Sequence, residues 1–173
     1  MAIMDILNLT QFNVSPLTLI FLMDGDRILT LKRNPDKKIY PDKVSGFGGK
    51  VESGEGLVAS AQRELLEETG LTAQELSLRG MFIRILDTGY INEMYIFVAS
   101  GHEGQLHQGS GEGKAMWLTI NEFLSRTDIV DHIPLYLKQV IEGKDFYCGI
   151  ARYEQDKMVS YTDNRRHFAE RKA

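Results

Sequence analysis

Hydrophobic and polar positions in the first seventy residues predict a β-hairpin followed by a helix. Apolar runs at 17–23 and 27–32 flank Asp24-Gly25-Asp26, a pattern typical of two antiparallel strands joined by a glycine-containing turn. After Gly56 the period changes to that of a helix, which Gly70 is positioned to end. The positions at helical spacing are Leu57, Val58, Ala61, Leu65 and Thr69.

The rest of the chain predicts two more hairpins, one strand and two helices. The runs 76–86 and 93–100 are rich in β-branched and aromatic residues and form the second hairpin around the turn 87–92. Further predicted elements are a strand at 114–120, a short helix at 121–124, a full helix at 131–143, and a hairpin at 145–162 that turns near Gln155 and Asp156. The pattern therefore predicts an α+β fold, with a mixed β-sheet sandwiched between helices.

A single domain is predicted for most of the chain. A length of 173 residues suits one core, and no internal repeat or linker marks a second domain. The predicted domain spans 16–162, between an N-terminal arm at 1–15 and a charged C-terminal tail at 163–173.

Composition and charge exclude several classes of protein. The chain is 43% hydrophobic and 25% charged, as in a compact soluble domain. Its formal net charge of −4 would repel a polyanion, so a nucleic-acid polymer is not an expected partner. Residues 1–16 do not resemble a signal peptide, and no segment has the roughly 18 to 20 apolar residues of a membrane span. With Cys148 as its single cysteine, we expect a cytoplasmic protein, either monomer or homodimer.

No catalytic or metal-binding role is predicted for the histidines or the cysteine. The cysteine lies in a strand-like run and is expected to be a small buried hydrophobe. The histidines lie in polar surroundings without the spacing of metal ligands, so all four are expected at the surface. They are His102, His107, His132 and His167.

The predicted helix at 57–69 carries an acidic face and an apolar face. Residues three and four apart share one side of a helix, which places Glu64 beside both Glu67 and Glu68. Leu65 and Ala61, together with Val58, point to another side and can face the core. Carboxylates held about 4 Å apart at the mouth of a cleft repel one another by about 4 kcal/mol at an effective dielectric of about 20. Such a cluster requires a cation.

The residue types around this cluster indicate which cation and which ligand. All the candidate ligands are hard carboxylate oxygens, which favour Mg²⁺ or Mn²⁺ over zinc. Gly48 and Gly49 lie just upstream and would let the backbone approach a metal or phosphate closely. The pattern predicts a site for a phosphorylated small molecule. The alternative is an ordinary acidic helix face paired with Arg63.

Residues 49–71, GKVESGEGLVASAQRELLEETGL, match the 23-residue signature of the Nudix hydrolases at every defining position, so the chain resembles this family. The resemblance implies a Nudix fold and hydrolysis of a nucleoside diphosphate linked to another group. It also implies roles for individual residues. The implied metal ligands are the carboxylates of Glu64, Glu67 and Glu68 and the carbonyl of Gly48, and the implied supporting pair that orients loop and helix is Glu55 and Arg63.

Outside the signature, residues 17–162 resemble the MutT-like and mammalian-type oxidised-purine triphosphatases. Lys32 and Arg33 resemble a basic pair, of which the second residue contacts a substrate phosphate in MutT-like enzymes. Glu112 resembles a distal carboxylate that joins the metal cluster. The alternatives are a solvated charge at the end of a strand for Arg33 and an ordinary loop glutamate for Glu112.

Three positions bear on recognition of the base. Ser45 stands where the mammalian-type enzymes have a base-reading asparagine. Asp131, together with Asp128, corresponds to an aspartate pair in a tryptophan-containing loop, although that tryptophan is missing here; Asp131 is otherwise the N-cap of the following helix. Phe47 forms an aromatic wall or packs beneath the loop.

The resemblance implies that water attacks the β-phosphorus of a nucleoside triphosphate and releases a nucleoside monophosphate and pyrophosphate. We expect a Mg²⁺-dependent pyrophosphohydrolase (Mn²⁺ is possible) that acts on oxidised purine nucleotides such as 8-oxo-dGTP. The general base is Glu64 or, as the second choice, Glu112. Alternative substrates are a nucleotide sugar, a dinucleoside polyphosphate or a pterin triphosphate. A non-catalytic nucleotide-binding module is the other alternative, although binding alone would not require all three helix glutamates.

Overall fold

The computed structural model describes residues 13–107, 109 and 111–164. The terminal segments 1–12 and 165–173, which include most of the predicted arm and tail and His167, lie outside the described residues. The strands are β1 (Asn13–Asp24), β2 (Arg27–Arg33), β3 (Val44–Ser45), β4 (Leu71–Leu86), β5 (Tyr90–Gly104), β6 (Gly113–Thr119), β7 (Tyr147–Glu154) and β8 (Lys157–Asp163). The helices are α1 (Leu57–Thr69), α2 (Ile120–Ser125) and α3 (Ile133–Glu142).

The described strands form one mixed sheet. Its order is β3-β2-β1-β5-β4-β7-β8, and β6 pairs with β2 off this path. Strand β1 runs parallel to β5, and β4 runs parallel to β7, while the other pairs are antiparallel. The three predicted hairpins, β1–β2, β4–β5 and β7–β8, are all present.

Both faces of the sheet are covered, as β1 shows. Leu19 and Phe21 belong to one core cluster, which also contains residues of α2 and α3, while Ile20 and Leu22 belong to a second cluster with α1. Successive strand residues point to opposite faces, so an unbroken apolar run is the sequence of a strand buried on both sides. The mixed sheet between helices agrees with the predicted α+β class.

Helix α1 has the predicted bounds, from Gly56 as N-cap to Gly70 as C-cap. Its apolar stripe is narrower than predicted. Ala61 and Leu65 are fully buried, but Val58 is 51% exposed, so the expectation that it faces the core was wrong.

Several other elements depart from the sequence predictions. Strands β4 and β5 extend beyond 76–86 and 93–100 because backbone pairing continues through polar, exposed residues as far as Leu71 and Gly104. Cys148 is partly buried rather than fully buried. None of the helices in the described part of the chain is long and apolar enough to cross a membrane.

His132 is buried, not at the surface as expected, and it is the N-cap residue of α3. Its ring stacks on that of Phe82 with 5.0 Å between centroids, and its Nδ1 lies 2.9 Å from the Tyr136 hydroxyl. Burial lowers the pKa of His132 to about 3, with a further contribution from the charge of Arg84. The neighbours of His132 in the sequence do not reveal that Phe82 of the distant strand β4 packs on its ring.

Candidate active site

The predicted acidic cluster lines a cleft of about 600 Å³. Four segments meet there: the end of β2, the glycine loop after β3, the acidic side of α1, and the loop before β6. The lining residues are Arg33, Gly48, Gly49, Lys50, Glu64, Glu67, Glu68, Gly111 and Glu112. The structure therefore brings together all of the residues predicted as metal ligands.

Strand β1 holds the glycine loop in place. The Ile20 and Phe47 backbones exchange two hydrogen bonds of 2.7 and 3.1 Å, and the Thr18 N–H donates to the Gly49 carbonyl at 2.9 Å. Gly48 adopts a φ of 136°, and a Cβ added there would lie 2.1 Å from the Thr18 carbonyl oxygen. Glycine is therefore required at position 48, both for its backbone conformation and for its contact with β1.

Glu68 is the most deeply buried carboxylate of the cleft, with 8% exposure. Its Oε2 accepts a hydrogen bond of 2.8 Å from the Gly48 N–H, which ties α1 to the glycine loop. Burial raises the pKa of Glu68 to about 7, and the nearby charges of Glu64 and Glu112 add to this shift. The environment thus disfavours the ionised form unless further positive charge is supplied.

Arg63 links the loop to the helix. Its Nε and Nη2 each donate to Glu55 at 2.9 Å, and its Nη1 donates to Glu64 at 3.0 Å and to Glu67 at 3.2 Å. Its Nη2 also donates to the Lys50 carbonyl at 3.2 Å. The hydrogen bonds from Arg63 lower the pKa of Glu55 to about 2. This geometry suits the positioning role that the resemblance implies for the pair.

The opposite wall of the cleft is a charged contact between two loops. Glu112 is paired with Lys37 at 2.8 Å and with Arg33 at 3.4 Å. The Arg33 Nε also donates to the Ile39 carbonyl at 3.1 Å. Lys37 was not among the predicted site residues, because nothing in its local sequence indicates that the loop folds toward Glu112.

The chemistry of the cleft suits a hard divalent cation. The four cleft carboxylates and the Gly48 backbone supply oxygen donors only, which are the ligands of Mg²⁺ and Mn²⁺. As placed, however, no three acidic, histidine or cysteine side chains among residues 13–107, 109 and 111–164 form a ready-made metal cluster. Glu64 and Glu67 turn toward Arg63, and Glu112 turns toward Lys37, so these side chains would reorient to share an ion.

Two predicted substrate-binding residues lie outside the cleft. Lys32 pairs with Asp42 at 2.8 Å and with Asp128 at 3.0 Å. Of the two alternatives for Phe47, the structure has packing beneath the loop and not an aromatic wall: the side chain is fully buried in the core cluster that contains Ala61. Because successive residues of an extended chain face opposite sides, the loop turns Phe47 inward.

The predicted base-reading residues are also outside the cleft. Ser45 is half-buried in β3, where it pairs with Leu31. Asp131 is exposed and accepts hydrogen bonds of 3.3 Å from the hydroxyls of Tyr40 and Tyr153. Asp131 is not the N-cap of α3. His132 occupies that position, and its side chain makes no capping hydrogen bond to the helix.

Comparison with known proteins identifies the family. A model of the NUDIX domain matches residues 15–139. The chain is 40% identical to the Nudix hydrolase YvcI of Bacillus subtilis (strain 168), over 69% of this chain and 78% of that protein. It is 32% identical to a Danio rerio protein named oxidized purine nucleoside triphosphate hydrolase, over 65% of this chain and 70% of that protein.

A solved structure supports the same assignment. The crystal structure of the mutator MutT protein from Bacillus halodurans superposes with a TM-score of 0.78 and 27% identity, covering 87% of this chain and 98% of the other. The predicted α+β Nudix fold is thereby confirmed. The chain belongs to the Nudix hydrolase family, and it is a pyrophosphohydrolase.

Proposed function

We propose that this enzyme is a Mg²⁺-dependent nucleoside triphosphate pyrophosphohydrolase that acts on oxidised purine nucleotides such as 8-oxo-dGTP. The observation that carries the proposal is the cleft itself, in which the buried Glu68 lies among other carboxylates and faces Arg33 across the cavity. Such a cleft suits a polyphosphate bound together with a divalent ion. The name of the Danio rerio relative supports the choice of base.

Glu64, Glu67, Glu68, Glu112 and the Gly48 carbonyl would hold the ion, for which Mn²⁺ is the alternative to Mg²⁺. When bound, a divalent ion neutralises charge on the phosphate oxygens and makes its bound water a better nucleophile. The cluster fits such an ion because the buried carboxylate of Glu68 has two acidic neighbours, Glu64 and Glu112, and only one hydrogen bond from the Gly48 N–H and the charge of Arg33 to offset them.

The remaining residues orient the reactants. Arg33 and Lys50 line the cleft and would bind phosphate oxygens, because cationic donors recognise phosphate strongly. Arg63 keeps Glu64 beside the glycine loop, where Glu64 would accept the proton of the attacking water. Glu112 is the second choice for this base, since its carboxylate is already paired with Lys37 and Arg33.

A different substrate of the same chemistry is the second candidate. Phe47 is buried, and the position of the base-reading asparagine is taken by Ser45, so neither predicted contact with an oxidised base is available in the cleft. These two observations favour another substrate with a phosphoanhydride bond, such as a nucleotide sugar, a dinucleoside polyphosphate or a pterin triphosphate.

A substrate panel separates the two candidates. Turnover of 8-oxo-dGTP, dGTP, 2-oxo-dATP, ADP-ribose and diadenosine polyphosphates is measured with Mg²⁺, Mn²⁺ or EDTA, and products are identified by mass. We expect a nucleoside monophosphate and pyrophosphate from the oxidised triphosphate. Turnover of ADP-ribose or a diadenosine polyphosphate alone would select the second candidate.

A matched pair of variants tests the mechanism. Glu67→Gln removes a cleft carboxylate, whereas Glu103→Gln makes the same change at an exposed residue that accepts a hydrogen bond of 2.7 Å from Gln74. We expect a large loss of kcat in the first variant and none in the second. Full activity of Glu67→Gln, or a wild-type protein that binds nucleotides and hydrolyses none, would contradict the mechanism.

A further inference from the structure

A second cavity, of about 280 Å³, lies against the loop at 34–43, and the mechanism proposed above does not use it. Its lining includes Lys38, Tyr40, Lys43, Arg84 and Asp156. We refer to it as the Arg84 cavity. The same loop borders the active-site cleft, because the Arg33 side chain of the cleft donates to the Ile39 carbonyl of the loop.

Arg84 on β4 is buried, and the Nε atom of its guanidinium has no hydrogen-bond partner among the described residues. Arg84 is 8% exposed, and its guanidinium makes cation–π contacts with the rings of Tyr40 and Tyr153, 5.3 and 4.4 Å from their centroids. In the part of the chain that the structure describes, no side chain forms a salt bridge with Arg84. A buried arginine is normally paired with an anion, since burial of an uncompensated charge is unfavourable.

Asp131 lies beside the two tyrosines but is not in an ion pair with Arg84. Asp131 accepts hydrogen bonds from the hydroxyls of Tyr40 and Tyr153, both at 3.3 Å, and forms no salt bridge with the guanidinium. His132 contributes no charge near neutral pH, because burial holds the pKa of its imidazole far below the usual value.

The other charged groups of the cavity leave an excess of positive charge. Lys38 and Lys43 line it, and neither takes part in an ion pair within the described ranges of the chain. Asp156 is the one carboxylate of the described lining, against three cations. The cavity is therefore suited to an anion with more than one negative charge.

We propose that the Arg84 cavity is a binding site for a phosphate group. Arg84 lines the cavity, and its two Nη groups can donate hydrogen bonds to phosphate oxygens, while Lys38 and Lys43 supply further charge. The phosphate is either inorganic phosphate or a second phosphate of the nucleotide, outside the polyphosphate that is cleaved. The second possibility rests on the proposed function.

Calorimetric titration with inorganic phosphate in EDTA tests the site without catalysis. The matched variants are Arg84→Gln and Arg152→Gln, which remove the same charge; Arg152 is exposed on β7, beside β4, and pairs with Ile85. We expect wild type and Arg152→Gln to bind equally and Arg84→Gln to bind at least about tenfold more weakly. Equal affinity of Arg84→Gln and wild type would overturn the proposal.

Thermal unfolding provides the control for folding. Arg84→Gln removes a buried charge that has no salt bridge but also removes two cation–π contacts, so we expect it to remain folded with a melting temperature close to that of wild type in phosphate-free buffer. Phosphate should raise the melting temperature of wild type by more than that of the variant, in which the cleft is unchanged. If Arg84→Gln does not fold, Lys43→Gln is titrated instead, and unchanged phosphate affinity in that variant would overturn the proposal.

Kinetics distinguish the two sources of the phosphate. The value of kcat/KM is compared for a nucleoside 5′-triphosphate with and without a 3′-phosphate. The site binds a substrate phosphate if wild type and Arg152→Gln prefer the 3′-phosphorylated substrate and Arg84→Gln does not. It binds a free anion if calorimetry detects phosphate binding and wild type shows no such preference. Absence of both in wild type overturns the proposal. Failure of the proposed function would abolish turnover but leave the calorimetric result intact.

Discussion

Substitution of Gly48 by alanine is a direct test of how β1 and the glycine loop shape the active site. Gly48 has a φ of 136°, where an L-residue costs about 1–3 kcal/mol. The added Cβ would lie 2.1 Å from the Thr18 carbonyl oxygen, so the loop must move away from β1. Such movement weakens hydrogen bonds that link β1 to the loop, each worth about 0.5–1.5 kcal/mol. Alanine also reduces the conformational entropy of the unfolded chain, and this stabilisation offsets about 0.4–1 kcal/mol of the loss.

Gly48→Ala should therefore lower the free energy of unfolding by about 3 kcal/mol, measured by urea denaturation. Gly54→Ala is the matched control, because Gly54 has a φ of 82° but its added Cβ meets no atom within 4 Å. Gly54→Ala should therefore lower the free energy of unfolding by the backbone contribution alone, about 1–2 kcal/mol. Displacement of the Gly48 N–H from Glu68 should also reduce kcat/KM under conditions where the variant is folded. Equal stabilities of the two variants, together with wild-type kcat/KM, would refute the reasoning.

Three further predictions concern the core, the buried histidine and the arginine of the signature. Phe47→Ala should lower the free energy of unfolding by about 3–5 kcal/mol in urea denaturation, since the side chain is fully buried; a loss below about 1 kcal/mol would contradict this. Because the pKa of His132 falls to about 3 on folding, the histidine binds a proton in the unfolded chain, but not in the folded one, between pH 6.5 and 3. The free energy of unfolding should therefore decrease by up to about 1.4 kcal/mol per pH unit as pH falls from about 6.5 toward 3. His132→Asn should lack this part of the pH dependence in urea denaturation. Arg63→Lys should reduce kcat/KM by about 100-fold, because lysine cannot hold Glu55 with two donors and also reach Glu64; steady-state kinetics on a variant of wild-type stability tests this.

The acidic face of α1 could be predicted from the sequence because its geometry is local. The helical repeat fixes which residues share a face, so the grouping of Glu64, Glu67 and Glu68 follows from their spacing alone. The Glu55–Arg63 pair spans a loop and a helix, and only the resemblance to a family suggested it. The structure then supplied the hydrogen bonds of 2.9 Å that join the two side chains.

Contacts between distant segments could not be predicted in the same way. The pairing of Lys37 with Glu112 and the burial of His132 both depend on which loop or strand packs over which residue. Local sequence indicates that a residue is polar or aromatic, but it does not indicate what will cover it. The surroundings of Arg84 are the clearest case, since its position in an alternating strand gives no sign that its guanidinium contacts the rings of two tyrosines.

Periodicity and short-range spacing were enough to predict the fold class, most of the strands and helices, and the cluster of carboxylates. Long-range packing selected the predicted residues that reach the cleft. It placed Arg33 and Glu112 there, turned Phe47 into the core and left Lys32 paired with Asp128. The physical reason is that packing of distant segments, rather than local propensity, sets the direction in which a loop side chain points.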